Sequence, residues 1–301
     1  MNELKYLQKI KNLHRLNPHV IVGPGDDAAV VTFDGPLQWL ITSDMLVEGV
    51  HFTGEATPPE LIGRKLMAVN LSDIAAMAGV PAIATVSLAI PRGTSDTYVY
   101  QLSKGIEDLA HKFGVAIVGG DTNGTSGPLT LSMTLLGRAT AKGPVMRSTA
   151  QKGDAILVTG RLGGSRAGKH LHFTPRVEEA LYLHQHYSLT SLIDVSDGLA
   201  SDLRRLTEDR GLGAALLKAK IPLAEALGQG SDKLRHALTD GEDFELLFTL
   251  DPLEAEALLH EQALVDCPLT RIGTVIETPG LFWLAKDQYL EAISWKGYVH
   301  G

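Results

Sequence analysis

The stretch VIVGPGDDAAVVTF, Val20–Phe33, places two adjacent carboxylates, Asp26 and Asp27, between a Gly-Pro-Gly turn and an apolar run with strand character. Neighbouring carboxylates repel, and a charge beside an apolar segment is costly unless something cationic compensates it. The stretch therefore predicts a turn that carries a carboxylate toward a cation, followed by a strand entering a core. Working outward, the motif type recurs. TSDM holds Asp44, NLSDIAAM holds Asp73, VGGDTNG holds Asp121, and DVSDG holds Asp194 and Asp197. Asp44, Asp121 and Asp194 are expected to end strands, Asp73 to lie inside a nearly uncharged helix, and Asp197 to open a helix.

Taken singly, each aspartate fits a helix cap or a turn, where its side chain bonds nearby backbone. Taken together they do not, because Asp73 is at neither a turn nor a helix start, and Asp26 and Asp27 cannot share one cap. Hard oxygen ligands with few Cys or His nearby suit several Mg²⁺ ions bound together with phosphates. GPGDD and VGGDTNG can turn backbone N–H groups toward phosphate oxygens, and Thr42, Ser43 and Ser196 offer hydroxyls beside the acids. Arg147, in VMRS, can reach a terminal phosphate; a solvated surface arginine fits its spacing equally.

The whole chain agrees with such a site. Its 301 residues, 44% hydrophobic and 21% charged, suffice for two domains with a core in each. Glycine, at 31 residues, exceeds the usual share of about 7%. A net charge of −8 argues against a nucleic-acid binder, which needs a basic face. The single cysteine, Cys267, excludes an intrachain disulfide framework and fits a reducing compartment. The N-terminal MNELKYLQKIKNLHRL reads as an amphipathic helix rather than a secretory signal. No apolar run approaches the ~18 residues of a membrane span, so cytoplasm is expected.

Periodicity predicts an α+β first half, with strands at AAVVTF, QWLITSDM, AIATVSLAIP, VAIVGGD and LTLSMTLLGRA and helices from PPELIGRKLMAVNLSDIAAMAG and SDTYVYQLSKGIEDLAHKFG. Turn residues gather from Lys142 to Gly153, which predicts a linker. An α/β second half follows, with domains at 1–145 and 146–301. AILVTGRLGGSRAGKH approaches a P-loop, but His170 stands where the motif needs a hydroxyl on Mg²⁺. There is no G-x-S-x-G elbow, no H-E-x-x-H and no Cys-plus-His constellation.

GPGDDAAV, TSDMLVEGVHF, KLMAVNLSDIAAMAGVP, VGGDT, the RS of VMRS, DVSDGLASDL, GEDFELLFT and WKGY, in this order, resemble the thiamine-monophosphate kinase family. That family belongs to the superfamily of aminoimidazole-ribonucleotide synthetase and selenophosphate synthetase. The resemblance implies a two-domain aminoimidazole-ribonucleotide-synthetase-like fold whose N-terminal sheets pair into a barrel in a homodimer. It implies ATP-dependent phosphorylation of thiamine monophosphate to thiamine diphosphate. It further implies a Mg²⁺ shell of Asp27, Thr42, Ser43, Asp44, Asp73, Asp121, Asp194 and Asp197, and ATP contacts from Gly120, Asp121, Arg147 and Ser196. Asp44, Asp197 and Arg147 would carry the reaction. His51, Glu242 and Tyr298 would meet the thiamine side, with Tyr298 stacking on the thiazolium cation. No nucleic acid or membrane partner is implied. The alternative is another ATP-dependent synthetase of the superfamily with a different acceptor. Selenophosphate synthetases normally carry a reactive N-terminal Cys or selenocysteine, and the hydrogenase-maturation relatives end in cysteine; this chain does neither.

Overall fold

The computed structural model describes residues 18–295, apart from 34, 55, 226–231, 265, 286 and 288. The expected N-terminal helix and Tyr298 lie outside the described residues.

The first half contains β1 (Val20–Val22), β2 (Ala29–Thr32), β3 (Gln38–Val47), α1 (Pro59–Ala76), β4 (Val80–Pro91), α2 (Asp96–Lys112), β5 (Ala116–Thr125) and β6 (Thr130–Arg138). Its sheet runs β1-β2-β3-β6-β4-β5. Only β4 and β5 pair in parallel. Side chains alternate as a half-covered sheet requires. Leu40, Thr42 and Leu46 of β3 are buried while Ser43 and Met45 are exposed, and Leu131, Met133 and Leu135 of β6 join the core.

The barrel implied by the resemblance is not found. The strand order is linear, β1 and β5 are its two edges, and no pairing joins them. The edges themselves explain why. β1 is only three residues long, and β5, AIVGGDTNGT, is largely small and polar, so both are blunted for further pairing.

The second half contains β7 (Ala155–Thr159), α3 (Lys169–His172), α4 (Val177–His186), β8 (Ser191–Asp194), α5 (Leu199–Glu208), β9 (Gly213–Leu216), α6 (Lys233–Thr239), β10 (Leu246–Leu250), α7 (Pro252–Glu261), β11 (Leu269–Ile276), β12 (Gly280–Leu284) and β13 (Leu290–Ala292). The sheet runs β13-β12-β9-β11-β7-β10-β8. β9 and β12 pair in parallel, whereas the other ladders are antiparallel. The half is therefore mainly antiparallel rather than wound from parallel βαβ units. β7 and β10 are buried along their whole length, which accounts for their unbroken apolar runs. Ala155, Leu157 and Phe248 face a core shared with the first half. Ile156, Val158 and Leu247 face a second core under α5 and α6.

α1 sits where the halves meet. Pro59 at its first turn needs no N–H partner there, and residues on all its faces are buried, from Ile62 through Ala76. A helix buried on every side offers no solvent face, so its polar side chains, Lys65, Asn70 and Ser72 among them, must find partners inside the protein. Gly63 and Gly105 let α1 and α2 cross closely: a Cβ at Gly63 would stand 2.0 Å from the Leu102 carbonyl oxygen, and one at Gly105 1.9 Å from that of Glu60. Enclosed this way, α1 presents Asp73 to β3 and Ser72 to β8.

Candidate active site

The polar residues of α1 begin the site. Thr42 Oγ1 of β3 donates to Asp73 Oδ2, and Ser72 Oγ donates to Asp194 Oδ2 at 2.5 Å. Two strands from different sheets are thus tied to adjacent residues of one helix. Asp44 and Asp73 act on each other, the charge of Asp44 helping to raise Asp73, and two neighbouring carboxylates are stabilised by a shared proton or a cation. Asp44 lies inside β3 rather than at its end, and only Asp194 ends its strand.

Burial first, and then neighbouring negative charge, raises these acids. Asp44 and Asp194 are each pushed up to about 6. Asp27, Asp73 and Asp202 are held well above the usual carboxylate range. Asp27 feels Asp194 and Asp202, Asp73 feels Asp44 and Asp194, and Asp44 feels Asp197. The acids from both halves therefore share one electrostatic environment.

Two arginines border it. Arg147 Nη1 lies 3.8 Å from Asp27 Oδ1, and its backbone N–H donates to Asp26 Oδ2 at 3.2 Å. Asp26 also accepts from the Asp27 N–H at 3.0 Å, so Asp26 holds the turn while Asp27 faces the other acids. Arg205 bridges Asp197 at 2.5 Å and Asp202 at 2.7 Å. Sequence reasoning missed Asp202 and Arg205. Their signal was the third aspartate of DVSDGLASDL and the i, i+3 arginine after it.

The donor set fits a hard cation. Asp27 Oδ2 and Arg147 Nε are buried with no hydrogen-bond partner, a costly condition in the protein alone. Among the described residues, no three His, Cys, Asp or Glu side chains stand ready around one ion position. Bare carboxylates repel from such a point, and Mg²⁺ needs only one or two of them beside waters and phosphates.

Two predicted residues bond elsewhere. Ser43 Oγ donates to the Met133 carbonyl at 3.0 Å, on the face of β3 turned away from the core. Asp121 lies inside exposed β5, accepting from the Thr122 N–H and from Asn123. In register, the row of Asp44 crosses Met133 and Val86 to reach Gly120. Val86, Ile106, Ile117, Gly120 and Asp121 line a cavity of about 360 Å³ at that edge.

A second pocket, of about 350 Å³, opens between the halves and is lined by His51, Phe52, Thr53, Arg166, His170 and Glu242 among others. Lys65, fully buried on α1, donates to the His51 carbonyl at 2.8 Å, to His170 Nδ1 at 2.8 Å and to Glu242 Oε1 at 2.7 Å. Burial by itself raises the Glu242 carboxyl; the contacts to His170 and Lys65 outweigh it and hold the group down at about 2. Glu242 adopts φ 57° and Phe244 φ 49°, left-handed values that cost a non-glycine residue of order 1–3 kcal/mol and cluster at functional sites. The Ser196 carbonyl anchors the Glu242 N–H at 2.7 Å. The adjacent cations Arg64 and Lys65 of LIGRKLMAVN, followed by an apolar run, were the available signal for Lys65.

Comparison with known proteins places the chain in a family. The family model "AIR synthase related protein, N-terminal domain" matches residues 25–139. A thiamine-monophosphate kinase of Rhodopirellula baltica is 40% identical over 311 residues, covering 99% of this chain and 97% of that protein. One from Bacillus subtilis is 34% identical, covering 96% of this chain and 98% of its own. A solved structure described as AaThiL complexed with AMPPCP and TMP superposes with a TM-score of 0.84 at 29% identity, covering 100% of this chain and 97% of that one. With identity at this level maintained from end to end, the chain belongs to the thiamine-monophosphate kinase family.

Proposed function

We propose that this protein transfers the γ-phosphoryl group of ATP to the phosphate of thiamine monophosphate, giving thiamine diphosphate and ADP by direct in-line displacement. The observation that supports this most is the end-to-end likeness to a chain solved with AMPPCP and TMP, combined with acids from both halves gathered along α1.

The attacking group is a phosphate oxygen already ionised at neutral pH, so no side chain need remove a proton from it. The obstacle is repulsion between two polyanions, and positioning with charge stabilisation supplies the rate. Asp27, Thr42, Asp44, Asp73, Asp194 and Asp197 are the residues proposed to hold several Mg²⁺ ions. Bound Mg²⁺ supplies charge neutralisation and polarises the phosphoryl oxygens. Arg147 and Ser196 meet the ATP phosphates, while Gly120 and Asp121 meet the nucleotide at the edge cavity. His51 and Glu242 hold the thiamine side. Lys65 and Asp73 are eight residues apart on α1, roughly 12 Å at 1.5 Å per residue, a separation suited to thiamine monophosphate lying along the helix.

The two sheets support a division into domains at 1–145 and 146–301. A homodimer is proposed from the exposed apolar side chains Ile21, Phe33, Met45 and Val118 of the first half, such exposure being a mark of association surfaces. Among the described residues no helix is long and apolar enough to cross a membrane, and a cytoplasmic location is proposed.

A coupled ATP assay with thiamine, thiamine monophosphate and a simple phosphate monoester tests the reaction. ADP release only with thiamine monophosphate is expected, and preference for free thiamine would overturn the reading. Adding Mg²⁺ to chelator-treated protein is expected to raise Tm with metal concentration; an unchanged Tm would remove the proposed metal shell.

A further inference from the structure

Arg205 is a cation that the reaction as described leaves unused, and it stands among the acids of the site. Its Nη2 donates to Asp197 Oδ2 at 2.5 Å and its Nη1 to Asp202 Oδ1 at 2.7 Å. The other oxygen of Asp202 accepts the Asp197 N–H at 3.0 Å. Asp197, Asp202 and Arg205 therefore close a triangle, in which the fully buried Asp202 fixes both the backbone of Asp197 and the guanidinium that holds its side chain. Arg204, the residue before, donates to the carbonyls of Ala200, Ile293 and Trp295 and takes no part.

The two arginines at the site differ in what they can still bind. Arg147 stands 3.8 Å from Asp27 with its Nε buried and unpartnered, so it has a donor to spare for a phosphate. Arg205 has each terminal nitrogen on a carboxylate, which makes it a counter-ion. Burial raises Asp202 and Asp194 most, and the charge of Arg205 works against that rise in both. Burial by itself lowers the guanidinium; Asp202 and Asp197 outweigh it, and Asp27 adds to them. An arginine does not release its proton in a protein, so this positive charge is permanent. A guanidinium on one oxygen of a carboxylate opposes a divalent cation at the other, because it engages a lone pair and repels the ion. Phosphates on the same ion supply negative charge that offsets the repulsion.

We propose that Arg205 is a positioning residue that sets when Asp197 takes metal: by occupying Oδ2 it keeps Asp197 a weak ligand for free Mg²⁺ and reserves it for an ion that arrives with the phosphates of the nucleotide. This rests on the reading of Asp197 as a metal-holding acid. Arg205 touches no reacting atom; it acts through Asp197.

The test follows Tm against Mg²⁺ concentration in the chelator-treated full chain, with and without the ATP analogue AMPPCP. Asp197→Asn is expected to leave the Mg²⁺ midpoint within about twofold of the parent without nucleotide, and to raise it about tenfold or more with AMPPCP. An equal rise in both conditions would overturn the proposal. Arg205→Gln, which removes the charge, is expected to lower the nucleotide-free midpoint about tenfold, while Arg205→Lys, which keeps it, stays within about twofold of the parent. A midpoint raised or unmoved by Arg205→Gln, or lowered equally by Arg205→Lys, would also overturn it, since loss of a merely structural arginine does not tighten metal binding. The Asp197→Asn arm needs no variant of Arg205, so a misfolded Arg205→Gln leaves the proposal refutable. A midpoint that Asp197→Asn changes in neither condition would instead sink the reading of Asp197 as a metal-holding acid, and the proposal with it.

Discussion

Ser72 Oγ donates to Asp194 Oδ2 at 2.5 Å, joining the central helix of one half to the last residue of a strand in the other. Both groups are buried, so the bond sets how the halves meet as well as where one acid points. Ser72→Ala is expected to lower stability by about 1 kcal/mol, the net worth of a buried hydrogen bond. Denaturant unfolding at pH 7 measures it. A variant as stable as the parent would show that the junction depends on packing alone.

Asp44 and Asp197 are the acids proposed to bring charge from the two halves to the phosphoryl-transfer region. Asp44→Asn and Asp197→Asn keep side-chain size and remove that charge. Turnover is expected to fall by roughly 10² or more, corresponding to ~3 kcal/mol of lost stabilisation. Near-parental turnover at saturating Mg²⁺ would contradict the assignment.

His51 Nδ1 accepts the Val47 N–H at 3.0 Å, which fixes the ring at the mouth of the second pocket. His51→Ala is expected to raise KM for thiamine monophosphate more than KM for ATP. Equal shifts in an initial-rate matrix of both substrates would take His51 off the substrate side.

Glu242 has a folded-state value of about 2 against an ordinary 4.5. Because the folded value is depressed, its stabilising contribution is complete above pH 4.5 and disappears as pH falls toward 2. Unfolding free energies measured from pH 5 to 2.5 are expected to decline more steeply for the parent than for Glu242→Gln. Parallel curves would mean that the carboxylate gains nothing from His170 and Lys65.

What the residues alone determined was the inventory: strands and helices with the right periods, an acid at each motif, and a family resemblance strong enough to name the reaction. Local chemistry suffices for these, because a two- or 3.6-residue repeat and a carboxylate in an apolar run are visible without neighbours. Tertiary structure alone decided which acids share a field. Asp44 and Asp121 both follow apolar runs in the sequence, yet one points to α1 and the other lies on an open sheet edge. Strand register determines that difference, since a shift of one residue reverses the face. It also showed that the first sheet stays open and that Lys65 gathers His51, His170 and Glu242 across as many as 177 positions. Contacts at such separations exist only once the chain has closed on itself, so no spacing along it could have announced them.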